Sequence, residues 1–319
     1  MKNDLNVTEF FKNFIKGFKV FFIISFLVLA SSAAILLSIE NKYLAYAKLA
    51  PVNDTNQPQT PNLGAFTGIA GLAGINMGGS KLENDVYAVE LMNSRSFFKS
   101  IVDKYDILPD IIATKKFDQI EMKSIYDMRI YNSDTNQWNK ERLEGREYPS
   151  IQKSYDVFKK MFEVSRNDEN FIVTISALHE SPVFARNLVN LVIEEINLRV
   201  KQRDVAEDER FIDFMTKKAE ETVDIEARKV FYELIGKKYQ ELALKSSRDY
   251  FVFNIIEEPV IAEEKYYPSR LLYLILISFS CLVIYSSLLM SLMYFGYNVF
   301  NSDKSFTGIK IEKKEHIQR

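Results

Sequence analysis

Few side chains in this sequence could do nucleophilic or acid–base chemistry. Among 319 residues there are two histidines, His179 and His316, and one cysteine, Cys281. A Cys–His pair works only when the imidazole can reach the thiol proton. Cys281 sits inside an uncharged apolar run, with one histidine before that run and the other after it. His179 follows a predicted strand and reads as a surface or edge residue. No HExxH, CxxC or GxSxG string occurs. The glycine-rich GINMGGSK at 74–81 imitates a phosphate loop, but serine precedes lysine where Gly-Lys-Ser/Thr is needed, and no strand feeds it. The Asp and Glu residues include no pair in a general acid/base context. Aromatic residues could stack on sugars, yet most are expected in the core. The sequence therefore predicts no catalytic residue, no cofactor and no metal site: this is not an enzyme.

What must be positioned is instead a domain held between two apolar segments. Residues 20–39 (VFFIISFLVLASSAAILLSI) carry no charge between Lys19 and Glu40, and residues 271–302 carry none between Arg270 and Asp303. A helix of ~20 such residues rises ~30 Å, the thickness of a bilayer's hydrocarbon core. Two spans put both termini on one side. The tail before the first span and the tail after the second each carry +2, and the whole chain carries −2, which leaves −6 for the middle. By the distribution of Lys and Arg both tails read as cytoplasmic. The rival reading of residues 1–39, a cleaved signal peptide with Ala30 and Ala33 near its cleavage site, fits less well, because the run is span length and a second span follows. With Cys281 inside a span, no disulfide forms within the domain, and 231 residues from 40 to 270 suffice for a core.

Along that domain, residues 43–50 (YLAYAKLA) predict a strand. Residues 51–83 hold three prolines and six glycines and predict a loop with an apolar plug around 66–77. Asn84 caps a predicted helix from Asp85 to Tyr105. Residues 106–148 read as irregular and polar, with Trp138 isolated among charges, and 150–161 as a helix. FEVS and FIVTISAL flank RNDEN, a hairpin pattern.

Ser181-Pro182 opens the longest periodic segment, since serine caps a helix and proline is pre-set for its first turn. Ala185, Val189, Val192, Ile196 and Val200 form one apolar series. After a polar stretch at 201–204, a second series runs through Ile212, Met215, Ala219, Val223, Ala227, Val230 and Leu234. Such narrow stripes suit packed helical hairpins or coiled coils. The strand predicted at 250–256 (YFVFNII) and the preceding hairpin should share one sheet, so the helical segment must go out and come back. Its tip is marked by no Gly or Pro between 183 and 235. Charges placed at Met215 or Val230 should weaken the fold or its assembly.

In this order the landmarks resemble the Wzz-type chain-length determinants, the polysaccharide co-polymerases of bacterial inner membranes. Residues 43–50 resemble that family's first exported strand. LMNSRSFFKSIVDKYDI (91–107) resembles its Leu-x-Ser-Arg helix, and SPVFARNLVNLVIEEIN (181–197) its Ser-Pro helix that begins the long arm. EEPVIAEEKYYPSRLLYLILI (257–277) resembles the proline-bearing segment before the last span, with Pro259, Pro268 and Arg270 as landmarks, although many members carry more prolines there. Either the prolines would stiffen the link to the membrane while Arg270 holds its charge at the headgroups, or these residues merely end a strand and start a span.

The resemblance implies an α+β membrane protein: two transmembrane helices flank a periplasmic domain with a membrane-proximal α/β base and a projecting long helical hairpin. Its parts would be a cytoplasmic tail at 1–19, a span at 20–39, the periplasmic domain at 40–270 (base 40–180 and 248–270, helical arm 181–247), a span at 271–300, and a cytoplasmic tail at 301–319. The arm would pack through Ile212, Met215, Ala219, Val223, Val230 and Leu234. The implied role is setting the chain length of a lipid-linked surface polysaccharide such as O antigen or capsule. Implied partners are copies of the same chain in a ring, a membrane polymerase, the lipid-linked glycan and the bilayer, with no nucleic acid. The alternative is an export component for capsule or exopolysaccharide, working with a separate kinase or an outer-membrane channel. Residues 303–319 hold no tyrosine cluster and no room for a fused kinase. A two-span receptor would need a cytoplasmic output module that neither tail can supply.

Overall fold

A computed structural model describes residues 7–52, 84–248, 250–294, 297–298 and 312–313. The glycine-rich segment with its phosphate-loop imitation, residues 1–6 and most of the C-terminal tail lie outside the described residues. The chain divides into two compact units: residues 42–265, and the two terminal portions 1–41 and 266–319 together.

The larger unit is built on a four-stranded antiparallel sheet. Its strands are β1 (Tyr43–Pro51), β6 (Phe162–Arg166), β7 (Val173–His179) and β8 (Phe253–Glu257), in the order β6-β7-β1-β8. β1 pairs with β7 from Tyr43↔His179 to Leu49↔Val173, and with β8 through Lys48↔Glu257 and Pro51↔Phe253. Side chains alternate across a strand, so Ala45, Ala47, Leu49, Val173, Ile175 and Ala177 line one buried face. The alanines of β1 let α6 (Pro182–Glu221) lie close, laying Leu188, Val189, Val192, Ile196 and Val200 into the same core.

Between β1 and β6 lie α2 (Asn84–Met92), α3 (Arg95–Tyr105), α4 (Leu108–Ala113), the hairpin β2 (Thr114–Asp118) and β3 (Lys123–Tyr126), the short ladder β4 (Tyr131–Asn132) and β5 (Gln137–Trp138), and α5 (Ile151–Met161). The single helix expected over 85–105 is two helices. Ser94 breaks it by accepting a hydrogen bond from the Phe97 N–H at 3.1 Å, a new N-cap in the middle of the run. Residues 106–148 are likewise not irregular throughout. Nor is Trp138 isolated: its ring centroid lies 4.8 Å from that of Tyr131, and it packs against the main core. Both pairings cross the chain between short strands, where periodicity gives no warning.

α6 begins as Ser181-Pro182 predicts, with Ser181 Oγ accepting from the Phe184 N–H at 3.2 Å. Its 40 residues rise ~60 Å. Thr222–Asp224 then turn the chain into α7 (Ile225–Ser246), whose first turn is capped by Asp224 accepting from the Ala227 N–H at 2.8 Å. The hairpin tip needs no glycine, because Thr222 turns extended to end α6 and Asp224, also extended, caps α7.

The second unit holds α1 (Val7–Ser38) and α8 (Arg270–Tyr294). Within them Phe21–Ser38 and Arg270–Ser291 are long and apolar enough to cross a membrane. The two run antiparallel. Arg270 donates from Nε to the Leu36 carbonyl at 3.1 Å and from Nη2 to the Ile39 carbonyl at 3.2 Å, while Phe21 stacks on Tyr285 at the other end, centroids 4.6 Å apart. The guanidinium thus meets carbonyls that the end of α1 cannot satisfy itself.

Candidate functional site

The arm formed by α6 and α7 carries the longest helix of the larger unit. A connection of three residues makes the helices antiparallel neighbours. The buried stripe of α6 runs Val200, Asp204, Asp208, Ile212, Met215, Ala219, in steps of four and three. The facing stripe of α7 is Phe231, Ile235, Lys238, Leu242 and Lys245. The outer half of the arm is apolar: Ile212, Met215, Ala219, Phe231 and Ile235 form one cluster, with Phe211 and Leu242 against it.

The inner half is a charge ladder. Asp208 Oδ1 accepts from Lys238 Nζ at 2.9 Å, and its Oδ2 from Lys245 Nζ at 2.9 Å. Lys245 lies 3.9 Å from Asp204 Oδ2. Arg203 Nη2 donates to Asp204 Oδ1 and to Asn84 Oδ1, both at 2.8 Å, with its guanidinium 3.8 Å above the Tyr87 ring. Both aspartates are buried. Burial works against the Lys238 charge, but its bonds to Asp208 and Glu241 outweigh it and hold the ammonium above its ordinary pKa. Replacing a buried ion pair by well-packed apolar residues is often neutral or stabilising, whereas removing one partner alone is costly.

Where the arm returns to the sheet, one side chain organises three backbone donors. Asn197 Oδ1 accepts from the N–H groups of Phe251, Val252 and Phe253 at 3.0, 2.8 and 3.1 Å, and its Nδ2 donates to the Ile193 carbonyl. One turn further along α6, Lys201 Nζ donates to the carbonyls of Ser246 and Arg248 at 2.8 and 2.9 Å, closing the C-terminus of α7. A half-open cleft of about 360 Å³ lies beside this clasp, bordered by Glu194, Lys201 and Tyr250.

His179 sits at the other root of the arm and is buried, not the surface or edge residue its position beside a strand end suggests. The reason is its pair of partners. Nδ1 accepts from the Ser181 N–H at 3.0 Å, which leaves Nε2 to donate to the Asp110 carbonyl at 2.9 Å. The ring also lies 4.6 Å from that of Phe184. Burial pushes its pKa below the ordinary value. Burial raises the Asp110 carboxyl, against the hydrogen bond it accepts from Tyr126 at 2.8 Å. A neutral imidazole therefore holds the last residues of β7 and the cap of α6 in one geometry.

Of the residues expected to pack the arm, Ile212, Met215 and Ala219 come together in the outer cluster. Val223 does not: it is 89% exposed in the link between the helices. Val230 and Leu234 are only half-buried, because the turn shifts the inward stripe of α7 by one residue, to Phe231 and Ile235. Pro259 is buried in the larger unit; Pro268, after a cis peptide bond, and Arg270 belong to the helix pair. Sequence reasoning missed Asn197, Asp204, Asp208, Lys238 and Lys245. A signal was present, since the two aspartates continue the step-of-four stripe through the polar stretch after Val200.

Among the described residues no three or more His, Cys, Asp or Glu side chains cluster so as to hold a metal. The geometry fixes helices against a sheet, and its polar side chains are spent on one another. No family model matches the chain, and no curated protein matches it. Among solved structures, a full-length bacterial polysaccharide co-polymerase aligns with 90% of this chain and 97% of its own, at 11% identity and a TM-score of 0.37, a likeness too loose to assign a function.

Proposed function

We propose that this protein regulates the chain length of a lipid-linked bacterial surface polysaccharide, as a non-catalytic scaffold in the inner membrane. Copies of the chain would pack side by side into a ring next to a membrane polymerase, with both termini cytoplasmic and the larger unit periplasmic. The observation that carries the reading is the order of the elements. A span-length apolar helix leads into a central strand. A Ser-Pro-capped helix of 40 residues goes out and α7 comes back to the neighbouring strand, and a proline-bearing segment leads into the second span-length helix. The residues at each step are those on which the resemblance to the chain-length determinants rests. The antiparallel pairing of α1 and α8 supports placing both termini on one side.

The test is the size distribution of the surface glycan with and without the gene, and after complementation. A shifted or broadened distribution that returns on complementation is the expected result. Complete loss of glycan from the surface would favour the export reading, and an unchanged distribution would refute both. A reporter fused after Arg319 locates the C-terminus independently.

A further inference from the structure

The β2–β3 hairpin is built unlike an ordinary surface turn. Its tip, Gln119–Met122, carries isoleucine and methionine where turns usually place Gly, Asn or Asp. Ile120 is 94% exposed, and Met122, Ile125 and Met128 are each about half exposed (49, 46 and 53%). One exposed apolar side chain means little, but four within nine residues form a patch. The hairpin is also held firmly. Asp118 Oδ1 accepts from the N–H groups of Ile120 and Glu121 at 2.8 and 3.1 Å, and Met122 takes φ +52°. At its base the Tyr126 hydroxyl donates to Asp110, and the Asp127 N–H donates to the Ala113 carbonyl at 2.7 Å. A fixed turn thus displays its apolar side chains to the outside.

Two further observations identify what covers them. Lys115 and Lys123 are exposed beside the patch, Lys123 with only a long, solvent-exposed pairing to Glu121 at 3.9 Å, whereas Arg129 is held tightly by Asp127. The second concerns reach. Gln119 Nε2 donates to the Tyr43 hydroxyl at 2.9 Å, so the hairpin tip is fastened to the first residue of β1. Only four residues separate Tyr43 from Ser38, the last residue of α1, and five extended steps cover at most ~17 Å. Whatever bilayer α1 crosses, its surface is within that tether of Tyr43.

We propose that the β2–β3 hairpin is a membrane-interface contact of this protein: Ile120 and Met122 enter the boundary between headgroups and acyl chains, and Lys115 and Lys123 face anionic headgroups. Apolar side chains flanked by lysine bind such a boundary by burying apolar area and by charge attraction. The inference rests on α1 and α8 crossing a bilayer, as the proposed function requires.

The experiment uses the full chain with Cys281→Ser, reconstituted in vesicles of phosphatidylethanolamine and phosphatidylglycerol. An environment-sensitive fluorophore is attached to Ile120→Cys, Leu27→Cys or Val223→Cys in turn. Leu27 lies in the apolar stretch of α1, and Val223 at the arm tip, ~60 Å of helix from the sheet. The expected result is a blue-shifted emission quenched by shallow spin-labelled lipid at 120 and at 27, with neither effect at 223. Replacing phosphatidylglycerol by a neutral lipid, or introducing Lys115→Glu with Lys123→Glu, should then reduce the quenching at 120. Quenching at 27 but no more at 120 than at 223 overturns the inference, and so does a blue shift at 120 without quenching, which would mean a protein partner. No quenching at 27 would overturn the membrane reading itself.

Discussion

Lys245 and Asp208 meet at 2.9 Å across the arm, 37 residues apart in sequence, with Lys238 on the other carboxylate oxygen. The carboxylate is what keeps two ammonium groups together in a mostly buried site. Asp208→Ala should therefore destabilise the chain by about 3 kcal/mol, because it removes the carboxylate that both ammonium groups share and leaves Lys238 to Glu241 and Lys245 to the more distant Asp204. Asp208→Leu combined with Lys238→Met should recover much of that loss, since apolar packing replaces the pair. Thermal unfolding of the purified chain decides; equal losses in the two variants would contradict a buried ladder.

The shifted stripe of α7 gives a sharp contrast between neighbours. Phe231→Asp should disrupt the outer cluster, whereas Val230→Asp should be much milder, and Val223→Asp should stay within about 0.5 kcal/mol of the parent, as surface changes do. Met215→Ala should cost about 2–4 kcal/mol, the range for removing a fully buried side chain of this size. Circular dichroism melts on the four variants test the order. A Val230 effect as large as that of Phe231 would restore the unshifted register.

Asn197 predicts a local signature. Asn197→Ala strips the acceptor from three buried N–H groups and should cost about 3 kcal/mol or more. The amides of Phe251, Val252 and Phe253 should exchange with deuterium much faster, while those of β6 and β7 should change only with global stability. Uniform acceleration across the sheet would argue that Asn197 merely packs.

His179 sets a pH dependence. Its folded pKa lies below the ~6.5 of an unfolded imidazole. As the pH falls, the unfolded chain takes up that proton first, so the stability is full above ~6.5 and declines as pH drops through that value. A proton on Nδ1 would also oppose the Ser181 N–H. Facing groups are Asp110, Glu180 (3.5 Å from Nε2) and, beyond Glu180, Lys42 at 3.0 Å. The raised Asp110 carboxyl acts in a lower window and with opposite sign, binding its proton more readily in the folded state. His179→Asn keeps an acceptor for Ser181 and removes the titration. Melting temperatures between pH 7.5 and 5.5 should fall for the parent and stay flatter for the variant; parallel slopes would exonerate the histidine.

The sequence made the large features legible where one residue type enforces them. Ser181-Pro182 has a local reason to start a helix, alternation in 173–179 has a local reason to be a strand, and 20 uncharged residues have few alternatives. The losses occur where the reason is not local. Nothing in the 85–105 pattern tells Ser94 from any other helix serine until its hydroxyl turns to the Phe97 N–H. The one-residue shift at Phe231 depends on how Thr222–Asp224 turn. His179 is buried by a carbonyl 69 residues away, and Asn197 matters through amides more than 50 residues distant. Asp204 and Asp208 were in phase with the stripe, but a stripe defined by hydrophobicity skips them.

The β1–β8 pairing has a mechanical corollary. β1 is the first strand after one apolar helix and β8 the last before the other, and they run in opposite directions, closing with Glu257 against Lys48 and Tyr46. If the two helices are drawn apart sideways, the tension arrives at the free end of that ladder and its rungs are loaded singly instead of together. A seam of this kind yields at low force, so lateral spreading of the anchors would peel β8 away before it strained the rest of the sheet.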